Sequence, residues 1–529
     1  MKNSMKKISV CLITAALIAS TAVASTSVFA ATTGGTITVS AGSTTGVDAG
    51  DTLVYYKVAS LNQSGKYEWT WNAAAFGGTV PSEVSAYDLN NSGVTNTNVQ
   101  HLASILASNV QGDGTLMAKN TENNGFEAGV AEDGYYLVVA TSKTDSSKIY
   151  QPMLIEVKNG DTYPINHVKV SEIGIDKKIT AVEAGTTGTT GQSVVDEEGK
   201  YAQAKIGDTV TYTLTTQVPN YDVNLNREAV DDEGNLVYVP FTITDTPTNL
   251  DNTTIEKVVL SKTGETPVTL TNGTDYEVEE LISVEEEGNI ISKKITLDAN
   301  NVILKDDDGN GVADYAGWTV TVTVKAKLAE SAIIEGANPN TATVRYGTDY
   351  ITGGNATTKD DHADVYTTAL KVEKYYWDEV SGEMPLAGAT FTLTQNDKLI
   401  KEFTTEHDGT YTVNGLSAGT YVLTETAAPA GYKLDSTPRT IVIKAEMGEN
   451  AIDGTTVKLV KFDKDIGTTD GFNHTDGEGF DIRIENTPGQ QLPGTGGMGT
   501  TLFTVGGISV VAVAGALLVI YMKKKKVNE

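Results

Sequence analysis

Apolar and polar residues alternate at every second position through most of this chain. Thr209–Thr215 and Trp318–Val324 are two clear examples, and this two-residue period predicts strands with one buried face. Helical periodicity is restricted to short segments such as Val99–Ser108. The pattern therefore predicts an all-β fold built from tandem β-sandwiches, the first of which contains a helical insertion.

The two ends of the chain depart from this pattern. Lysines near the N terminus precede an apolar run that starts at Ile8, and Ser27–Ala30 ends in the small-x-small pattern of a signal-peptidase site. Near the C terminus, the uncharged run Leu502–Met522 precedes Lys523–Lys526. That run is long enough to cross a bilayer core of about 30 Å, with the lysines on the cytoplasmic side. The ends therefore predict export, followed by arrest at a membrane.

Length, charge and cysteine content narrow the class of protein. Of 529 residues, 39 are Lys or Arg and 68 are Asp or Glu, which gives a formal net charge of -29. Such a charge argues against nucleic-acid partners. The single cysteine, Cys11, falls in the predicted signal peptide, so the mature chain has no disulfide. The predicted segments are a signal peptide (1–30), three β-domains (31–170, 171–366 and 367–490) and a C-terminal segment (491–529).

The pentapeptide before the C-terminal apolar run is Leu492-Pro493-Gly494-Thr495-Gly496. Pentapeptide, apolar span and basic tail occur in the order found in the LPXTG sorting signal of Gram-positive surface proteins, which this segment resembles. The resemblance implies that a sortase cuts between Thr495 and Gly496 and passes the Thr495 carbonyl to an amine. The apolar helix is then a discarded processing segment. A plain single-span membrane protein is the alternative, but it leaves the pentapeptide unexplained.

The second predicted domain has charged residues at positions that alternation assigns to its core. Lys177 shares a strand face with Ile173 and Ile175, and Asp245 shares one with Phe241 and Ile243. Asn340 begins a further apolar-alternating segment, which is interpreted as the last strand of the domain. These three residues resemble the A-type intramolecular isopeptide domain of Gram-positive pilins and collagen-binding adhesins.

The third predicted domain contains the more specific motifs. Lys374 follows Leu370 and Val372 at period two, Tyr421–Tyr432 resembles the pilin E-box, and Asn486 stands on the closing strand. Glu425 lies on the strand face of Tyr421 and Leu423. Together these features resemble a B-type isopeptide domain, of the same Ig-like, Cna-type sandwich class.

The resemblance implies a single-turnover reaction in each of these two domains. Burial favours the neutral, nucleophilic form of a lysine and the protonated form of a carboxylic acid. Such an acid can polarise a neighbouring asparagine carboxamide, so that the amine attacks and ammonia leaves. The implied bonds are Lys177–Asn340, with Asp245 as the acid, and Lys374–Asn486, with Glu425 as the acid.

The same family joins its subunits through a lysine in a Tyr-Pro-Lys-Asn motif at the end of the first domain. Here the matching residues are Tyr163-Pro164-Ile165-Asn166, so the lysine is missing. Lys169 and Lys158 are the candidate substitutes, and we rank Lys169 first because it lies closer to the junction with the second domain. An ordinary solvated strand lysine is the alternative reading of Lys169.

Other chemistry is weakly indicated. The acidic residues of 306–314 follow the spacing of a calcium loop, with Gly311 at the sixth position, but Gly317 replaces the glutamate expected at the twelfth. A polar hairpin tip is the preferred interpretation. We therefore expect no metal, no cofactor and no enzymatic turnover.

The size and domain arrangement resemble those of major (backbone) pilins, and the resemblance implies a structural subunit of wall-anchored fimbriae that mediate surface adhesion. The expected partners are pilus-type and housekeeping sortases, neighbouring pilin subunits, peptidoglycan, and a host or matrix ligand. A monomeric wall-anchored adhesin or a basal or minor pilin is the first alternative, favoured by Ile165. A secreted enzyme is a more distant one, since no catalytic constellation is present.

Overall fold

The computed structural model describes residues 34–489 except for 43–45, 63–67, 91–98, 122–123, 143–147, 167, 186–195, 232, 283–289, 310, 453–454 and 465–470. The predicted signal peptide (1–30) and C-terminal segment (491–529) lie outside the described residues. Within the described residues, no helix is long and apolar enough to cross a membrane. Strands make up most of the regular structure there, which confirms the predicted all-β fold.

The chain divides into two compact units. One contains Met1–Thr368, Asn414–Ala418 and Ala445–Phe462, and the other contains Ala369–Val413, Gly419–Lys444 and Asp463–Glu529. The sheets of the first two predicted domains belong to the first unit. The borders 31–170, 171–366 and 367–490 stay predictions.

The N-terminal region combines strands with the helical insertion that the sequence predicted. Its elements are β1 Gly35–Val39, β2 Thr52–Asn62, β3 Glu68–Trp71, a 3-10 turn Ala73–Phe76, α1 Ser82–Ser85, α2 Val99–Asn109, β4 Thr115–Leu116, β5 Ala118–Asn120, β6 Gly125–Val130, β7 Gly134–Thr141, β8 Lys148–Tyr150, β9 Met153–Val157, β10 Asp161–Ile165 and β11 Val170–Glu172.

Three sheets organise these elements. Their strand orders are β10-β1-β6-β5, β3-β2-β7-β9 with β4 beside β2, and β11-β8. Apolar residues from both larger sheets share one core, to which β1 contributes Ile37 and Val39. Helix α2 buries Leu102 and Leu106 in a second cluster with Leu137 of β7. The apolar face of α2 thus explains the helical periodicity of this segment.

The following region is a two-sheet sandwich. Its elements are β12 Asp176–Glu183, β13 Tyr201–Gln203, β14 Thr209–Gln217, β15 Thr242–Pro247, β16 Leu250–Ser261, β17 Val268–Thr269, β18 Tyr276–Ile282, β19 Ile290–Leu297, a π-helical turn Ala299–Ile303, β20 Thr319–Leu328, β21 Asn338–Gly347 and β22 Ala356–Tyr366. The strand orders are β12-β14-β20-β16-β17 and β13-β22-β21-β15-β19-β18. Residues of both sheets, among them Leu214, Ile243, Val322 and Val344, share one core.

The last region also has two sheets. Its elements are β23 Thr368–Asp378, β24 Gly382–Pro385, β25 Thr390–Gln395, β26 Lys398–Thr404, β27 Thr410–Leu416, β28 Gly419–Ala427, β29 Arg439–Ile452, β30 Thr455–Lys464, β31 Phe472–Thr475 and β32 Gly479–Glu485. The strand orders are β24-β23-β32-β31, with β27 beside β23, and β26-β25-β28-β29-β30. Strands β23 and β32 pair in parallel, so the first and last strands of this region are neighbours.

Candidate functional site

The structure brings Lys177, Asp245 and Asn340 together in the core of the sandwich formed by β12–β22. All three side chains are fully buried. The Lys177 Nζ donates a hydrogen bond to Asp245 Oδ1, and Asn340 Nδ2 donates one to Asp245 Oδ2 at 3.4 Å. Strand β12 of one sheet contributes the lysine, whereas β15 and β21 of the other sheet contribute Asp245 and Asn340. The carboxylate therefore holds both potential reactants across the space between two sheets.

The strand register explains why Asp245 and Asn340 meet. In the antiparallel pair β15–β21, Asp245 faces Ala342 and Pro247 faces Asn340. The two polar residues are thus diagonal neighbours on the same face of the sheet, within reach of each other. Phe241 and Ile243 are fully buried on the side of Asp245, as the alternation predicted.

One detail of the sequence interpretation was wrong. Asn340 is the third residue of β21, and β21 is not the last strand of this sandwich, because β22 follows and pairs antiparallel with it. The alternation did not reveal β22, since residues 357–362 of this strand are polar or charged on both faces and none of them is fully buried.

A second buried asparagine, Asn338, lies two residues before Asn340 on the same face. Its carboxamide is fully occupied: Oδ1 accepts hydrogen bonds from Ile333 N and Asn249 Nδ2, and Nδ2 donates to three backbone carbonyls. By contrast, Asn340 Oδ1 has no partner among the described residues. Asn338 is thus a structural residue, and Asn340 is the asparagine with an available carboxamide.

The backbone of Lys177 is held by a surface-side ion pair that the sequence did not reveal. Asp361 Oδ2 accepts a hydrogen bond from Lys177 N at 2.6 Å and another from Lys200 Nζ. Lys200 Nζ also donates to the Lys177 carbonyl at 2.6 Å.

Burial lowers the pKa of the Lys177 amine, although Asp245 opposes this effect. A lowered pKa gives the neutral, nucleophilic amine a larger share of the population.

The third-domain residues form a closed triangle. Lys374 Nζ donates to Asn486 Oδ1 at 2.6 Å and to Glu425 Oε2 at 3.2 Å, while Asn486 Nδ2 donates to Glu425 Oε1 at 2.8 Å. All three side chains are buried. Burial lowers the pKa of the Lys374 amine, against the opposing charge of Glu425. The amine thus lies beside the carboxamide that it would attack.

The strands place this triangle differently from the first set. Lys374 on β23 faces Ile484 of the parallel strand β32, and Asn486 N, just past the end of β32, donates to the Tyr375 carbonyl. Lysine and asparagine therefore belong to neighbouring strands of one sheet. Glu425 comes from β28 of the other sheet.

An aromatic ring lies beside each buried lysine. The Lys177 Nζ is 5.0 Å from the ring centre of Tyr212, and the Lys374 Nζ is 5.8 Å from that of Phe391. Both rings are fully buried. Neither residue was assigned to a site from the sequence, although Tyr212 occupies an inward position of the alternating segment Thr209–Thr215.

The candidate lysines of the N-terminal region differ in exposure. Lys169 is exposed, and its carbonyl accepts a hydrogen bond from Gln151 N. It was interpreted as a strand residue from the sequence, but it lies between β10 and β11 and belongs to neither strand. Lys158 is half-buried, ion-paired with Glu156 and 4.9 Å from the Trp69 ring centre. Ile165 is buried in the core at the end of β10.

Two further features of the sequence are the sorting signal and the acidic loop of residues 306–314. Leu492, Pro493, Thr495 and Gly496 of the sorting signal lie outside the described residues. Carboxylate oxygens of Asp306, Asp308 and Asp314 lie within 4.8 Å of one another, and Asn310 is outside the described residues. The Gly311 N–H donates to Asp306 Oδ2, so this loop is already hydrogen-bonded internally.

Two family models match the C-terminal part of the chain. Residues 368–458 match the SpaA prealbumin-like fold domain, which includes Lys374, Glu425 and their strands. Residues 484–529 match the LPXTG cell wall anchor motif. The predicted wall anchor is therefore confirmed.

A relative matches a larger share of the chain. The trypsin-resistant surface T6 protein of Streptococcus pyogenes serotype M6 is 23% identical over 461 residues, which is 74% of this chain and 79% of the relative. These matches confirm the resemblance to sortase-assembled major pilins. The T6 backbone pilin structure of the same organism has a TM-score of 0.51 at 15% identity and covers 86% of this chain and 98% of its own. That likeness concerns the fold.

A second solved structure is similar over the same share of the chain. The full-length major pilin SpaD of Corynebacterium diphtheriae is 17% identical, has a TM-score of 0.44, and covers 86% of this chain and 98% of its own.

Proposed function

We propose that this chain is a structural subunit of cell-wall-anchored, covalently polymerised pili, and that its two buried sets form Lys177–Asn340 and Lys374–Asn486 isopeptide bonds. The observation on which the proposal rests is the burial of two complete lysine, carboxylate and asparagine sets in hydrogen-bond contact. An isolated buried charge is costly. Conversion of lysine and asparagine into an amide removes that cost.

The chemistry balances within each set. The ammonium first passes a proton to the carboxylate, which leaves a neutral amine and a carboxylic acid. The amine nitrogen then attacks the carboxamide carbon, and the acid returns its proton as the C–N bond to the side-chain nitrogen breaks. The attacking nitrogen gives up one further proton to the leaving group, which departs as ammonium, that is, ammonia plus a proton, and the carboxylate is regenerated. Each set acts once, without turnover.

The proposed bonds stabilise the fold by closing long loops. The loops span 340 − 177 = 163 and 486 − 374 = 112 positions. On a chain-entropy model, closing a loop of either length contributes about 5 kcal/mol to the free energy of unfolding. The mature chain has no cysteine with which to obtain the same effect.

Intact mass measurement tests these bonds. The folded mature chain should be lighter than its sequence mass by two ammonia molecules, and Lys177→Ala or Lys374→Ala should each restore one of them. Lys178→Ala and Lys371→Ala are matched controls, because these neighbouring lysines are about half-exposed and should leave both losses in place. A wild-type mass equal to the sequence mass would contradict the proposed bonds.

The second candidate function is a monomeric wall-anchored adhesin or a basal or minor pilin. The observation that favours it is the residue at the motif position. Ile165 stands where the linking lysine is expected, and its side chain is buried in the core. For the polymer, we propose Lys169 as the amine that accepts the sortase-bound Thr495 of the next subunit, because it is exposed. Denaturing electrophoresis of wall extracts separates the two functions: a ladder indicates a polymer, and one band indicates a monomer.

The proposed polymer also defines the enzymes it needs. A pilus-type sortase would join subunits, and a housekeeping sortase would attach the finished fibre to peptidoglycan.

A further inference from the structure

Tyr212 is a fully buried tyrosine whose hydroxyl has no hydrogen-bond partner among the described residues. It lies on β14, where it faces Ile179 of β12, two residues beyond Lys177. An unsatisfied buried polar group costs about 1–3 kcal/mol, and phenylalanine would fill the same space without that cost. The hydroxyl therefore needs an explanation other than packing.

A complementary unsatisfied atom belongs to the same site. Asn340 Oδ1 is a buried acceptor without a donor, and Tyr212 offers a donor without an acceptor. Both residues adjoin the Lys177–Asp245 pair: Asn340 donates to Asp245, and Lys177 Nζ lies 5.0 Å from the centre of the Tyr212 ring.

The third-domain set differs from the first in the donor that its asparagine oxygen receives before reaction. There Lys374 Nζ donates directly to Asn486 Oδ1 at 2.6 Å, and the aromatic neighbour is Phe391. In the first set the lysine donates to the carboxylate instead. Its asparagine oxygen thus lacks the donor that the third-domain asparagine already has.

We infer that the Tyr212 hydroxyl donates a hydrogen bond to Asn340 Oδ1 while the Lys177–Asn340 bond forms. This inference rests on the proposed function. When the amine nitrogen attacks the carboxamide carbon, the C=O electron pair moves to Oδ1, and a donor there stabilises the developing charge. As the pair returns, the bond to Nδ2 breaks and ammonia leaves with the proton relayed by Asp245. The tyrosine keeps its own proton throughout.

The environment suits that role. Burial, with the nearby charges of Asp245 and Asp364, raises the pKa of Tyr212 well above its ordinary value. The hydroxyl consequently stays protonated and remains a donor at neutral pH.

The test compares Tyr212→Phe with the wild-type mature chain. Both are synthesised in a short pulse, quenched in denaturant at successive times, and digested. Mass spectrometry then follows the joined Lys177 and Asn340 peptides over time. The joined Lys374 and Asn486 peptides from the same samples provide the reference rate. Loss of one oxyanion donor slows such steps by about a hundredfold or more. We expect a slowing of that order for the first bond and none for the second.

Tyr221→Phe is the matched control. Tyr221 is equally buried in the same sandwich, but its hydroxyl donates to the Gly347 carbonyl at 2.6 Å, so its loss should lower stability without slowing the bond. Thermal unfolding of Asn340→Ala with and without Tyr212→Phe measures any purely structural role of Tyr212. A lower melting temperature in the double variant would indicate such a role and overturn the inference.

The remaining outcomes separate the inference from the proposed function. Bond formation at the wild-type rate in Tyr212→Phe, or equal slowing in Tyr221→Phe, overturns the role of the hydroxyl and leaves the bond itself intact. A wild-type chain without joined Lys177 and Asn340 peptides contradicts both.

Discussion

Replacing Glu425 by alanine tests the role of the buried acid in the third-domain bond. The carboxylate contacts both Lys374 Nζ and Asn486 Nδ2, so its removal leaves no group to move the proton. We expect the variant to retain one ammonia more than the wild type. The open loop of 112 positions then costs about 5 kcal/mol of unfolding free energy. For a domain of this size, that corresponds to a melting temperature lower by roughly 20 °C.

The unreacted lysine gives this variant a distinctive pH dependence. Burial lowers the pKa of Lys374 in the folded chain, and the loss of Glu425 removes the charge that opposes this effect. The unfolded chain then binds more protons than the folded one between the lowered pKa and the ordinary lysine pKa. Stability should therefore rise with pH across that interval. In the wild type the proposed bond makes this nitrogen part of an amide, which does not titrate.

Intact mass, calorimetry at several pH values and limited proteolysis measure these effects. Glu373→Ala is the control, because Glu373 is adjacent to Lys374 in sequence but forms partly exposed ion pairs with Lys371 and Arg483, which contribute at most about 1 kcal/mol. It should keep both ammonia losses. If Glu425→Ala still lost two ammonia molecules relative to its own sequence mass, the assignment of Glu425 as the acid would be refuted.

Two further predictions concern residues outside the buried sets. Asp361→Asn should slow the Lys177–Asn340 bond without abolishing it, because a neutral amide holds Lys200 and the Lys177 N–H less strongly; the joined peptides measure this, and an unchanged rate would exclude a positioning role. Lys169→Ala should remove the high-mass ladder from wall extracts, whereas Lys158→Ala should leave it, since Lys158 is half-buried and ion-paired. A ladder that persists in Lys169→Ala would show that another amine links the subunits.

The sequence was sufficient to predict that the charged members of the two buried sets face inward. Strand parity alone places Lys177 with its apolar neighbours and Glu425 with Tyr421 and Leu423, and all of them are buried except Ile175, which is partly exposed. Parity is local and depends only on the two-residue repeat. It can therefore be assigned without knowing which strands are neighbours.

Relations between strands could not be predicted in the same way. The role of β22 depends on its pairing with β21, and its polar first half gives no periodic signal. The unsatisfied hydroxyl of Tyr212 is equally invisible, because the sequence does not show what surrounds an inward tyrosine. The occupied carboxamide of Asn338 is also invisible in the sequence, since two of its partners, the Asn249 side chain and the Val365 carbonyl, are distant along the chain.

The position of β22 predicts a mechanical difference between the two cross-linked regions. Tension that enters at Lys177 crosses the proposed bond to Asn340, which leaves the segment up to Tyr366 outside the closed loop. Asn340 faces Ala363, so load enters and leaves at the same end of the β21–β22 hairpin and opens its hydrogen bonds one after another. In the last region, Asn486 lies beyond the end of β32, so its bond to Lys374 encloses nearly all of the strands.

Single-molecule stretching of the mature chain should therefore show one short extension from the Lys177–Asn340 region. The free segment of 366 − 340 = 26 positions, at roughly 3.5 Å for each extended residue, gives a contour length of roughly 90 Å. Asn340→Ala should replace this step by a much longer one, because 366 − 177 = 189 positions then become extensible. The matched variant Asn486→Ala should lengthen only the step of the last region. The N-terminal region has no proposed cross-link and gives its own long step in every variant. A wild-type step that matches the 189 positions would contradict the Lys177–Asn340 bond, whereas the absence of any short step would mean that β22 is held more strongly than its hairpin pairing implies.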